Sequence, residues 1–183
     1  MSRAVVACGA LALDVCRIAS RRGWDLNVIP VPALLHNHPE RIGDAVAALS
    51  AKHDVVAVAY GDCGTYGALD GLPRLSGEHC YDVFARDEVR AALEEEPGTY
   101  FLTDFLARTF EHTVWRELGL DRYPELREDY FGNYTRVIWL AQRPTPATRS
   151  AAERAATRLG LPLEVRQVGD EGLERQLEAL VGG

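Results

Sequence analysis

The sequence predicts a single α/β domain over residues 1–183, a mostly parallel sheet with helices on both faces in a Rossmann-like three-layer arrangement. Three observations lead there. Short apolar runs alternate with stretches of helical period, the pattern of a parallel sheet wrapped by helices. The 183 residues, 47% hydrophobic and 26% charged, suit one well-cored globular unit and argue against global disorder. No strong repeat, low-complexity tract or linker interrupts the alternation.

Residues 4–7 form a first apolar strand, ended by Cys8-Gly9. Leu11, Val15, Ile18 and Ala19 then line one face of a helix that stops at Arg21-Arg22-Gly23, a basic last turn before a glycine. Residues 26–31 read as a second strand, with Pro30 near its end. Pro39 suits a first helical position, and Ile42, Val46 and Leu49 mark the helix that follows. Residues 55–60, β-branched and apolar, are the clearest strand and fit burial on both faces. Residues 68–83 lack a clean period and read as loop. Residues 87–95 read as helix and Pro97-Gly98-Thr99 as a turn. Thr103 is placed to cap a helix with Leu106, Phe110, Val114 and Leu118 on its apolar face, closed by Gly119. A short helix within 121–131 ends at Gly132. Residues 136–141 are a strand, and Thr145-Pro146 opens an alanine-rich helix to Leu159-Gly160. Residues 163–168 alternate like an edge strand, and Leu173, Leu177 and Val181 mark the last helix. The helical insertion at about 85–132 departs from simple alternation and is read as a lid over the sheet's edge.

Lys and Arg number 20 against 27 Asp and Glu, a net charge of −7. A nucleic-acid binder needs a basic surface to meet phosphates, so no nucleic-acid partner is expected. Lys52 is the only lysine, which leaves Schiff-base or Walker-type chemistry one candidate at most. No apolar run approaches a membrane span, so no membrane partner is expected. Met1 and Ser2 lead into the first strand without a signal-peptide layout, which points to the cytoplasm. There the four cysteines are expected to be reduced, and their use turns toward metal binding or catalysis.

Ligands of open α/β sheets bind beyond the carboxyl ends of the strands, where strand order reverses. In a 2-1-3 order Cys8 and Cys63 end neighbouring strands, and Cys80 follows in a loop that can close over them. Three converging thiolates suit a metal centre, and soft sulfur favours an iron–sulfur cluster, zinc or Cu(I). The 8–63–80 spacing contains no C-x-x-C pair, which weighs against a closed structural zinc. A [4Fe–4S] cluster or a Zn2+ ion on Cys8, Cys63 and Cys80 keeps a coordination position open for a substrate and acts as a Lewis acid. An isolated reactive thiol and inert packing are the competing readings. Both Cys8 and Cys63 are placed near helix N-termini, where the dipole favours thiolate. Cys16, beside the apolar face of the first helix, reads as packing.

Gly61, Gly64 and Gly67 recur every third residue, which matches neither a dinucleotide fingerprint nor a Walker loop. The loop is either a tight turn needing positive φ or backbone approaching a ligand. Gly9, Gly61, Gly64 and Tyr134 are the candidate cofactor-binding positions. The acid–base candidates are Asp62, His79 and His36, with Asp104 and His38 read mainly as caps. His53 and His112 read as solvent-facing, and Tyr130, Phe131 and Tyr134 read as core packing or a pocket lining.

At these residues the chain resembles a known family. Ala7-Cys8-Gly9-Ala10-Leu11, Leu35-His36-Asn37 with Pro39, Tyr60-Gly61-Asp62-Cys63-Gly64, His79-Cys80-Tyr81, Pro97-Gly98-Thr99 with Leu102-Thr103-Asp104-Phe105, and Tyr130-Phe131-Gly132-Asn133-Tyr134 look like the pattern of DUF1638, a family of uncharacterised bacterial and archaeal proteins. The resemblance covers nearly the whole chain and carries over Cys8, Cys63 and Cys80. The family usually has a second glycine after its Asp-Cys-Gly-Thr segment, where this chain has Tyr66. Family members often stand beside corrinoid-dependent methyltransferase systems, so the resemblance implies one-carbon metabolism and a corrinoid or methyltransferase partner.

Three functional readings follow. The first is a cytoplasmic metalloenzyme acting on a small-molecule substrate, as a lyase or hydrolase at a cluster or in thiol or methyl transfer at zinc. The second is a non-catalytic accessory protein that binds metal, corrinoid or a methyltransferase. The third is a metal-free cysteine nucleophile, which requires one exposed low-pKa thiol beside a histidine. The oligomeric state stays open, a homo-oligomer included.

Overall fold

A computed structural model describes residues 3–182; Met1 and Ser2, used in the N-terminal reading above, lie outside them. The α/β class and the parallel pairing are as expected. The strands, however, form two three-stranded parallel sheets, β2-β1-β3 and β4-β5-β6. The chain divides correspondingly into two compact units: residues 3–84 with 170–182, and residues 85–169.

The first unit is built from β1 (Arg3–Cys8), α1 (Ala12–Arg22), β2 (Leu26–Val31), α2 (Ile42–Ser50), β3 (Val55–Ala59), the opening turns of α3 (Cys80–Glu95) and α7 (Glu171–Val181). The sheet order is the 2-1-3 order that the sequence implied. Central β1 is buried from Ala4 to Cys8, which its unbroken Ala-Val-Val-Ala-Cys run requires. Pro30 falls on β2, an edge strand, where a missing N–H is tolerated. In register, Ala7 pairs with Pro30 on one side and Ala59 on the other, so Cys8 and Tyr60 leave the sheet at the same end. Helix α1 buries Val15, Ile18 and Ala19 and closes on left-handed Gly23. Pro39 begins a 3-10 turn (Pro39–Arg41) that runs into α2.

The second unit holds the rest of α3, β4 (Thr99–Thr103), α4 (Asp104–Phe110), α5 (Arg127–Phe131), β5 (Arg136–Ala141), α6 (Pro146–Leu159) and β6 (Leu163–Gln167). The expected helical insertion is therefore not purely helical, because β4 lies inside it. Thr99-Tyr100-Phe101-Leu102-Thr103 is β-branched and aromatic, but Pro97-Gly98 before it and the capping Thr103 after it disguise a five-residue strand as a connection. Thr103 caps α4 as expected, its side chain accepting from the Leu106 N–H. Helix α4 runs on as a π-helical segment, Glu111–Arg116. Thr145 and Thr148 form a reciprocal capping box at the start of α6. Helix α3 starts earlier than expected, at Cys80, and Ala85 (φ −152°, ψ 58°) breaks it where the first unit ends. Among the described residues no helix is long and apolar enough to cross a membrane.

Candidate functional site

Cys8 is the last residue of β1, buried, and the chain turns at Gly9 into α1. Gly9 donates to the Val31 carbonyl at 2.8 Å, and a Cβ there would stand 2.9 Å from the Ala33 nitrogen. Gly9 is thus required for close approach of the chain after β2, and that face of its Cα is filled by backbone. Gly61 has a similar part: a Cβ would meet the Gly77 and His79 carbonyls at 3.0 and 3.3 Å. Beside it, the Asp62 and Cys63 N–H groups donate to Gly77 and Glu78, each at 2.7 Å. This pairing brings the His79-Cys80 segment back to the end of β3.

Cys63 itself is buried and left-handed, with φ 52°; Gly64 follows at φ 78° and has room for a Cβ against Pro39. No helix follows Cys63, contrary to expectation; residues 64–72 are a chain of turns, and it is Cys80 that opens a helix. Asp62 holds these turns together. Its carboxylate accepts from the Thr65 hydroxyl at 3.1 Å and the Gly67 N–H at 3.3 Å. Burial works against its ionisation, but the Gly67 N–H and Thr65 hydroxyl prevail and hold it below the usual carboxylate range. Asp62 is therefore engaged by its own loop.

Tyr66 has φ 49° and is 95% exposed. It occupies the position where the resemblance implies glycine, and it packs on almost nothing. Replacing Tyr66 with glycine is expected to stabilise the fold by about 1 kcal/mol, the scale of relieving one left-handed non-glycine residue; urea denaturation measures it.

The three expected cysteines share one neighbourhood. Burial comes first in raising the Cys8, Cys63 and Cys80 thiols, and the charges of the other sulfurs add to it at Cys63 and Cys80. Cys63 is pushed from 9.0 up to about 12. Backbone N–H groups oppose these shifts: those of Ala10 and Leu11 reach Cys8, and those of Gly61 and Cys80 reach Cys63. Among the described residues, however, no three His, Cys, Asp or Glu side chains are grouped closely enough to hold a single metal ion. The raised thiols do not match a metal-free nucleophile, which needs a stabilised thiolate. Cys16 stands apart. It is exposed rather than packed, because it lies one position beyond buried Val15 and so turns off the apolar stripe of α1.

These thiols set a pH dependence. A thiol whose folded pKa exceeds its unfolded value contributes stability that is complete below the unfolded value and is lost as pH rises through the folded one. The metal-free protein is therefore expected to lose stability from about pH 9 toward pH 12, by up to about 1.4 kcal/mol per pH unit for each thiol. Urea titrations at pH 7 and pH 10 read this, and Cys63→Ser is expected to flatten the fall.

Two histidines flank the thiols. His79 is half-buried, stacks on Tyr81 at 4.8 Å and faces Asp82, Nδ1 to Oδ2 at 3.7 Å. The Asp82 partner raises its pKa above the ordinary histidine value. Asp82 also accepts the Glu78 and His79 N–H groups at 3.0 and 2.9 Å. His36 lies in a 3-10 turn, Ala33–Asn37, after β2. Desolvation of its ring and the charge of His79 lower its pKa. His38 caps nothing; its side chain makes no cap bond and stands 3.7 Å from Glu40. His53 and His112 are exposed, as expected.

Sequence reasoning did not select Tyr60, which sits between β3 and the Gly61-Asp62-Cys63 turn. It is 1% exposed, and its buried hydroxyl faces the Cys8 sulfur as a hydrogen-bond partner. Burial comes first in raising its pKa, and the charge of Cys8, the hydrogen bond with Cys8 and the charge of Cys63 add to it.

Tyr134 belongs to the second unit, where it packs edge-on against Tyr100 at 5.2 Å and beside Phe131 at 6.0 Å. The core-packing reading fits this group. Asp104 is also in that unit, buried, accepting from Trp139 Nε1 at 2.9 Å and the Arg143 N–H at 2.7 Å. It ties the end of β5 to the start of α4.

A family model described as "Protein of unknown function (DUF1638)" matches residues 31–177, a span that includes Cys63 and Cys80 and begins after Cys8. No curated protein and no solved structure matches the chain.

Proposed function

The chain belongs to the DUF1638 family, and from that footing we propose that it is a metalloenzyme whose Cys8, Cys63 and Cys80 hold an open [4Fe–4S] cluster at the carboxyl ends of β1 and β3. The observation that carries this reading is the convergence of three sulfurs from separate segments, each raised by burial, with charge acting between them. An all-sulfur donor set suits iron and sulfide. Backbone N–H groups directed at Cys8 and Cys63 suit thiolates that carry charge only when a cation compensates it. A single Zn2+ ion on the same three sulfurs is the alternative centre.

When bound, a three-cysteine cluster supplies one iron free to polarise an oxygen, nitrogen or sulfur atom of a small substrate. Proton transfer falls to the two histidines, whose surroundings push them apart, an arrangement that separates acid from base. His79, its imidazolium favoured by Asp82, is the acid, and His36, its imidazolium disfavoured by burial, is the base. Asp62 keeps the cysteine turn in shape. Methyl-group metabolism, with a corrinoid or methyltransferase partner, is the setting the family resemblance suggests.

Protein purified without oxygen is expected to contain iron and acid-labile sulfide at about four each per chain, with a brown chromophore. One zinc per chain would replace the cluster with a single ion, and protein free of all three elements would end the reading.

A further inference from the structure

Cys8 and Cys63 are 5% and 4% exposed, so a small molecule reaches either sulfur only when a covering segment moves. Residues 76–83 lie against the Gly61-Asp62-Cys63 turn. The Gly77 and Glu78 carbonyls accept the Asp62 and Cys63 N–H groups there, each at 2.7 Å, and the Cys80 N–H reaches the Cys63 sulfur. Both ends of the segment are anchored. Leu75 before it is fully buried and donates its N–H to the Val58 carbonyl at 3.2 Å, and Val83 is buried. The middle is one piece, because Asp82 accepts the Glu78 and His79 N–H groups. Gly77, with φ 147°, supplies a hinge at the start, in a conformation that suits glycine.

One side chain spans the two ends. Gln176 of α7 accepts the Ser76 N–H on Oε1 at 2.7 Å and donates from Nε2 to the Val83 carbonyl at 3.4 Å. Helix α7 gives it a firm base. The helix buries Leu173, Leu177 and Val181, and its Glu174 pairs with Arg21 at 2.6 Å and Arg22 at 3.1 Å.

We propose that residues 76–83 are the door of the sulfur pocket and that Gln176 is the catch that keeps it shut. Gln176 acts through the backbone it holds, so it is a positioning residue. What the door admits rests on the reading of Cys8, Cys63 and Cys80 as the site. Opening breaks the Asp62 and Cys63 N–H bonds and draws Cys80 away from Cys63. Closing restores both, with His79 beside them.

Native-state hydrogen exchange on the protein as purified reads the two parts separately. The Ser76 N–H reports the catch, the Asp62 and Cys63 N–H groups report the door, and the Val6 N–H on central β1 reports the core. Gln176→Leu is expected to speed exchange at Ser76, Asp62 and Cys63 together by about fivefold, the change that one net hydrogen bond makes to an opening equilibrium. Val6 is expected to stay unchanged. Alkylation of Cys63 in metal-free protein, normalised to exposed Cys16, should rise by the same factor. Gln176→Glu keeps an oxygen acceptor for Ser76 and should fall between wild type and Gln176→Leu. Faster exchange at Ser76 alone would reduce Gln176 to a cap on one amide. An equal rise at Val6 would mean general destabilisation, and either result overturns the proposal. Wild type without iron or sulfide but with this exchange pattern would remove the proposed centre and leave the door. Normal iron loading with unchanged exchange in Gln176→Leu would remove the door and leave the centre.

Discussion

Replacing Cys63 with alanine is expected to reduce bound metal to less than about a tenth of the wild-type content, the scale of losing a ligand outright. Cys8→Ala and Cys80→Ala should do the same, and Cys16→Ala should leave the content unchanged. These changes are small in volume. A cysteine is a small hydrophobe when neutral, and trimming it to alanine removes one sulfur atom from a core that also buries Val5, Val6, Ala7, Ala57, Val58 and Ala59. The cost to the fold is expected to be about 1 kcal/mol. The apo variant should even escape part of the alkaline destabilisation, because one of the mutually raised thiols is gone. Loss of metal with the circular dichroism and melting cooperativity of wild type is therefore the expected pattern. Elemental analysis of the four single variants checks it. Cys16→Ala losing metal as fully as the others would show that the ligands are assigned to the wrong sulfurs.

Gly172→Ala carries the largest expected effect on stability. Gly172 is the second residue of α7, the helix that brings the C-terminal segment back to the first unit. A Cβ at this position would run into the Phe84 carbonyl, with the Val83 carbonyl also 2.9 Å away. Both obstacles are backbone of α3, the helix opened by Cys80. Helix propensity alone favours alanine over glycine by about 1 kcal/mol. Forcing backbone apart in a packed core costs about 3 kcal/mol, so the clash outweighs the propensity. The net loss of about 2 kcal/mol corresponds to a Tm lower by roughly 4–8 °C for a chain of this size. Differential scanning calorimetry reads it directly. A Tm equal to or above that of wild type would mean that α7 does not rest on α3 as described.

The parts of the site that lie on regular elements were legible in the sequence. Residues 4–8 and 55–59 are unbroken apolar runs, and such runs pair side by side at the centre of a parallel sheet. From that, the neighbouring ends at Cys8 and Cys63 followed by topology. Cys80 was read as part of a loop because the segment before it has no period, and it is instead the first residue of α3. What failed were features set by tertiary contact. β4 hides between a Pro-Gly turn and a capping threonine. The break at Ala85 has no proline to announce it. Cys63 takes a left-handed conformation that glycine usually fills, held there by Asp62 and by the N–H bonds to Gly77 and Glu78. Asp82, which raises the His79 pKa, is the third residue of a helix that began earlier than the sequence suggested. Tyr60 looked like the last residue of a strand, and the place of its hydroxyl beside Cys8 has no sequence signature.

The most direct test is a crystal structure of protein purified and crystallised without oxygen, with anomalous diffraction collected at the iron edge. The expected result is an anomalous peak bonded to the Sγ atoms of Cys8, Cys63 and Cys80 and to no other side chain. Iron bound elsewhere, with these three sulfurs still protonated and turned away from one another, would contradict the account.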